Sequence, residues 1–123
     1  MTPQEMDRAL AEVMGWELRL VSNCFNTYFS NRECWCSGTE VLYACEDWHP
    51  TYDWNQMMQC VEKVSEKKKL VFRLTIAGKH SSAIFYGERK EGKPCSDTIG
   101  ATKKHPLLAI GEAVLRVAGK WGE

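Results

Sequence analysis

No uninterrupted apolar stretch in the 123-residue sequence approaches the roughly 20 residues that a membrane-spanning helix needs. No membrane partner is therefore expected. Glu5, Asp7, Arg8, Glu12, Glu17 and Arg19 break up the start of the chain, so a secretory leader is not expected either. The expected location is a cytoplasm, where the six cysteines would stay as thiols rather than form a disulfide framework. Charge of one sign is not in excess: Lys+Arg and Asp+Glu stand at 16 each. That removes the overall basic field by which many proteins hold nucleic-acid phosphates and leaves only local patches. There is no G-x-S-x-G, no H-E-x-x-H and no glycine-rich phosphate loop. Nor is there a repeat, a low-complexity tract or an interdomain linker, so residues 1–123 read as a single domain.

What is present suits a small globular domain. A chain of this length can bury about two thirds of its unfolded surface. Its 44% apolar and 26% charged residues are ordinary for a packed fold. Five tryptophans are many for the length, and most are expected in or near the core.

Helix signals stand at three places. Thr2-Pro3-Gln4-Glu5 combines an N-cap, a proline at the first helical position and the Glu of a capping box. Met6, Leu10, Val13 and Met14 follow at helical spacing, and Gly15 ends the run. A second helix is expected after His49-Pro50, capped by Asp53 with Gln56 three residues on, its apolar stripe being Trp54, Met57, Met58, Val61 and Val64. Its basic end, Lys67–Lys69, suits the negative pole of a helix dipole. The third opens at His105-Pro106, is apolar around much of its girth and stops at Gly119, with Trp121 beyond to clamp the end.

Strands are expected over Glu17–Val21 and Glu40–Cys45, and a hairpin over Leu70–Ile76 and Ser82–Glu88 around a turn at Gly78. A further edge strand is expected over Cys95–Ala101. Residues 22–38 mix turn formers with Cys and aromatic side chains and read as an irregular loop or a loose hairpin. The order of elements gives an α+β class.

The helix ending in Gly15-Trp16, the segment Pro50-Thr51-Tyr52-Asp53 leading into a helix with Trp54, Met57 and Met58, and the helix from His105-Pro106-Leu107-Leu108-Ala109-Ile110 through Ala113 together resemble the phage ABA-sandwich family. The resemblance runs over essentially the whole chain, but the Cys-rich stretch Cys24–Cys45 departs from the family's pattern. It implies an α-β-α sandwich of three helices with a central, mostly antiparallel sheet. It also implies a phage or prophage accessory product working in a bacterial host's cytoplasm, and it brings no catalytic motif.

Four groups of residues are candidate sites. Phe25, Tyr28, Phe29, Trp35, Trp48 and Tyr52 form a protein-binding patch if the loop exposes them, and a satellite core if it does not. Lys67, Lys68, Lys69, Lys103 and Lys104 are a candidate nucleic-acid surface, the plainer reading being solvated helix ends. Cys24, Cys34, Cys36 and Cys45, with His49 as a further ligand, could hold Zn²⁺, although one C-x-C is not the usual pair of zinc knuckles. Cys45 to His49 brings a thiol, Glu46, Asp47 and an imidazole close in sequence, whereas a Cys–His nucleophile needs closeness in space. Asp53 is expected as a cap, Glu46 and Asp47 as solvated, His80 in a turn and His105 at a helix start. The leading expectation is a non-enzymatic binder of a host protein, with no cofactor. Behind it stand a nucleic-acid-binding module and a zinc-stabilised or thiol-dependent enzyme.

Overall fold

The computed structural model describes residues 1–22, 28–87, 99–103 and 105–121. Helix α1 spans Pro3–Val13. The Thr2 hydroxyl accepts the Glu5 N–H at 3.2 Å, which satisfies a donor that the first helical turn leaves without an internal partner. Helix α2 spans Trp54–Lys68, and the Asp53 carboxylate accepts the Gln56 N–H at 3.0 Å. Helix α3 spans Pro106–Val117. His105 holds its N-cap position but makes no side-chain cap bond.

Gly15 and Gly119 end α1 and α3 with φ of +82° and +73°, a left-handed turn that side chains disfavour. The chain then doubles back: Trp16 N–H reaches Ala11 O at 3.2 Å, and Lys120 N–H reaches Leu115 O at 2.8 Å.

Among the described residues the strands are all antiparallel and fall into two sheets of three rather than one central sheet. The first holds β1 (Glu17–Val21), β2 (Arg32–Ser37) and β3 (Glu40–Ala44), in that order. The second holds β4 (Leu70–Ala77), β5 (His80–Gly87) and β6 (Ile99–Lys103), also in order. The fold is thus α+β with three helices. A 3₁₀ turn over Cys45–Asp47 joins β3 to the approach of α2.

Part of the expected loop at 22–38 is strand β2. Its Cys34-Trp35-Cys36 alternates across the sheet, since successive side chains of a strand point to opposite faces. Trp35 pairs with Leu18 and Tyr43 in register and joins the main core. Cys34 and Cys36 enter a separate small cluster with Ala44, flanked by Val21, Phe29 and Val41.

The main core lies between the helices and the second sheet. Ser81, Ala83, Phe85 and Gly87 of β5 are buried, while Ser82, Ile84 and Tyr86 between them are half-exposed. Helices α2 and α3 therefore cover one face of that sheet, where Phe72 and Phe85 meet at 5.0 Å between ring centroids. Leu10, Met57, Ile110, Val114 and Leu115 are fully buried in this core. A Cβ on Gly111 would stand 2.5 Å from the Met6 sulfur and 3.2 Å from the Met57 methyl, so α3 approaches α1 and α2 at a position that leaves no room for a side chain.

Trp54 departs from the expected stripe. It is 45% exposed at the first position of α2, and its place in the buried face is taken by Gln56 and Cys60 beside Met57, Val61 and Val64.

Candidate functional site

The chain from Trp48 to Thr51 passes against α1, and Asp7 receives it. Asp7 shares one helix face with Ala11 and Met14, so it points inward and is only 8% exposed. Thr51 N–H donates to Asp7 Oδ1 at 2.9 Å, and the Thr51 hydroxyl donates to Oδ2 at 3.1 Å. The Trp48 indole N–H donates to the Asp7 backbone carbonyl at 2.8 Å. Burial raises the Asp7 carboxyl above its usual range; the two Thr51 bonds and the nearby His49 pull it back only in part.

Gln56 makes a second link. Its amide oxygen accepts the His49 N–H at 2.7 Å and its amide N–H donates to Asp47 O at 2.8 Å. These bonds tie the 3₁₀ turn to the first turn of α2.

Above this brace lies a cleft of about 380 Å³. Trp35 and Trp48, each 3% exposed, contribute to its floor; Asp7 and Arg8 line it from α1, and Cys45, His49 and Tyr52 from the opposite wall. The floor is an aromatic stack. Trp16 meets Trp48 edge-on at 4.7 Å, and Tyr43 lies 5.3 Å from Trp48 and 5.7 Å from Trp16. Tyr52 stands out of the cleft at 73% exposure. The Nδ1 atom of His49 is buried without a hydrogen-bond partner.

The expected aromatic patch is therefore split. Trp35 and Trp48 are core residues: Trp35 through its register with Leu18 and Tyr43, Trp48 through the stack and the bond to Asp7. Phe29 belongs to the small cysteine cluster. Tyr28 is exposed, lies edge-on to Phe29 at 5.4 Å and donates its hydroxyl to Asp47, which raises its pKa. Tyr52 alone of the described members stands on the cleft's rim, and Phe25 lies outside the described residues.

The lysines are split as well. Lys67 and Lys68 line a second cleft at the far ends of the helices, which Lys69 and Lys103 do not line. Lys103 is held 3.2 Å from Glu112, a buried carboxylate that also takes Arg116 at 3.3 Å. Lys104 lies outside the described residues.

Cys34 and Cys36 sit among apolar side chains, with Sγ atoms 3.6 Å from the carbonyls of Arg32 and Cys34 respectively. Cys45 is on the wall of the first cleft, and Cys24 lies outside the described residues. Among the described residues no three His, Cys, Asp or Glu side chains gather as a metal-binding set. The Cys60 thiol is pushed up to about 12 by burial and by Asp7, which leaves it un-ionised and a poor nucleophile at neutral pH. Glu46 is ion-paired with Arg32 rather than simply solvated.

The sequence does not mark Asp7 or Thr51 as site residues, and it marks Gln56 only as the capping-box partner of Asp53, whereas its side chain bonds His49 and Asp47 instead. The available signal was a carboxylate at a core position of α1, in register with Ala11 and Met14; its partner lies 44 residues away. Among the described residues no helix is long and apolar enough to cross a membrane. The chain matches no family model, no curated protein and no solved structure. The likeness to the phage ABA-sandwich family thus rests on the residues quoted for it.

Proposed function

We propose that this chain is a non-enzymatic binding domain that takes a protein partner at the Tyr52 cleft; in the setting suggested by the family resemblance, it is a phage or prophage accessory product and the partner is a host protein. The observation that carries this reading is the pair Tyr52 and Trp54, 73% and 45% exposed, on a backbone already fixed before any partner arrives. Tyr52 N–H bonds His49 O at 2.8 Å, and Asp53 between the two aromatics is locked as the α2 cap. Large aromatic side chains on a rigid support are what interface hot spots use, because little conformational freedom is lost when they are covered.

The cleft's chemistry supports binding over catalysis. Both Asp7 oxygens accept from Thr51, so this carboxylate acts as a brace rather than as a base waiting for a substrate proton. The nucleic-acid reading has less support, since Lys103 is held by the buried Glu112 and does not line the cleft that Lys67 and Lys68 line.

The test is purification of the tagged full chain from bacterial host cells, with the native mass of whatever co-elutes. The wild type is compared with a Tyr52→Ala/Trp54→Ala double variant, whose exposed positions leave the fold intact. One host protein at fixed stoichiometry, reduced at least tenfold by the double variant, is expected. Recovery of no stoichiometric partner, or equal recovery with the variant, overturns the reading.

A further inference from the structure

At the opposite end of the helical layer all three helices finish around one cleft of about 300 Å³. Glu12 and Val13 close α1, Lys67 and Lys68 close α2, and Ala118 and Lys120 follow α3. Val13, Met14, Val64 and Ala118 give it an apolar lining, while Lys63, Lys67, Lys68 and Lys120 give it charge. The volume is at the lower end of that of small-molecule sites.

Helix ends attract lysines for their own sake, so the charges must be weighed. Each helix C-terminus carries about half a negative charge, and three of them together about one and a half. Glu12 adds one more and lies 3.9 Å from Lys120. Four lysines exceed that demand by about one and a half positive charges. Lys63, moreover, lies a full turn before the end of α2, where the dipole no longer needs it.

The arrangement along α2 points the same way. Lys63 and Lys67 stand four residues apart, as do Glu62 and Glu66, so like charges face like along both rows. A helix surface serving only its own stability would alternate sign at this spacing, since like pairs repel; Glu66, three residues after Lys63, has the opposite sign but makes no ion pair with it. Lys63, Lys67 and Lys68 make no ion pair among the described residues.

We propose that this cleft binds a small organic anion, whose apolar body lies on Val13, Met14, Val64 and Ala118 and whose acidic group is held by Lys63, Lys67 and Lys68. The site is separate from the Tyr52 cleft and does not depend on the protein-binding reading. An acidic group placed there relieves the repulsion along the lysine row, and the apolar lining favours a ligand with a hydrocarbon body over a bare ion.

The test is calorimetric titration of the full chain with octanoate, with its neutral counterpart octanol, with inorganic phosphate and with a single-stranded oligonucleotide. Octanoate is expected to saturate one site, at least tenfold more tightly than octanol or phosphate. Lys63→Gln/Lys67→Gln should weaken it tenfold or more at an unchanged melting temperature, while Tyr52→Ala/Trp54→Ala leaves it unaffected. The proposal is overturned by no saturable octanoate binding up to millimolar concentration, by equal binding of octanol or phosphate, or by unchanged affinity in the lysine variant. Tighter binding of the oligonucleotide to the same lysines would also overturn it.

Discussion

The second sheet has two strands of eight residues and one of five, and lies on α2 and α3 chiefly through alternate residues of β5, with Ala83 and Phe85 fully buried. The first sheet has strands of five, six and five residues and reaches the helices through an aromatic stack and the bonds around Asp7. The difference follows from available surface. Long alternating strands offer a continuous apolar face, and burial of such a face is favourable without needing exact orientation. Short strands offer less, so direction must come from hydrogen bonds. The Trp48, Thr51 and Gln56 bonds hold the chain that leaves the first sheet in one place. The cleft and exposed Tyr52 are a consequence, being built on the segment those bonds fix.

The largest expected effect tests the apolar side of this contrast. Phe85→Ala should cost about 3–5 kcal/mol, the lost transfer energy of the ring plus the cavity it leaves. Leu18→Ala in the first sheet should cost less, because Leu18 is only half-buried. Urea unfolding of both variants checks the ranking. Equal losses would mean that the two sheets depend on apolar packing alike.

The polar side is tested at Asp7. Asp7→Ala leaves the buried Thr51 N–H without its acceptor and should cost about 1–3 kcal/mol. Asp7→Asn keeps an acceptor for that N–H and can donate to the Thr51 oxygen, so it should cost less. It also removes a titration. The Asp7 pKa is raised in the folded state, so folding favours its protonated form. The resulting stability is fully present below the unfolded value of about 3.9 and is lost as pH rises through the native value. Wild type should therefore fall relative to Asp7→Asn as pH rises from about 3.9 through that raised value. Urea midpoints of both proteins across this range check it, and a gap moving the other way would remove burial as the cause.

Local features of the fold could be read from the sequence because their partners lie within a few residues. The Thr2 and Asp53 caps, the turn at Gly78 and the stops at Gly15 and Gly119 are of this kind. Strand β2 was hidden because its period-two pattern is only three residues long, Cys34-Trp35-Cys36, and is surrounded by turn formers. Trp54 was misplaced because hydrophobicity alone puts it in the stripe, whereas the first helical position opens toward solvent here. The sites were less legible than the elements. Asp7 gains its role from Thr51, 44 residues on, and the lysine cleft needs the ends of three helices that only the folded chain brings together. The like-charge rows at i, i+4 on α2 were visible, but not what stood opposite them.

The smallest expected effect lies at the joint between helix and second sheet. Lys69 follows α2 and precedes β4 with φ of +54° and ψ of +52°, the left-handed conformation in which glycine is the usual occupant. A side chain there crowds its own backbone at about 1–2 kcal/mol. Its charge at the helix end returns part of that, about 0.3–1 kcal/mol. Lys69 is exposed and does not line the anion cleft, so its replacement tests the joint without touching either proposed site. Lys69→Gly should therefore stabilise the protein by about 0.5–1 kcal/mol, seen as a higher urea midpoint with an unchanged slope. Because the strain sits where the helical layer passes into the better-packed sheet, the gain should add to the loss in Asp7→Ala, whose bonds lie at the other end of α2. A clear departure from additivity would show that the two attachments of the helical layer are energetically linked and not, as the contacts indicate, separate.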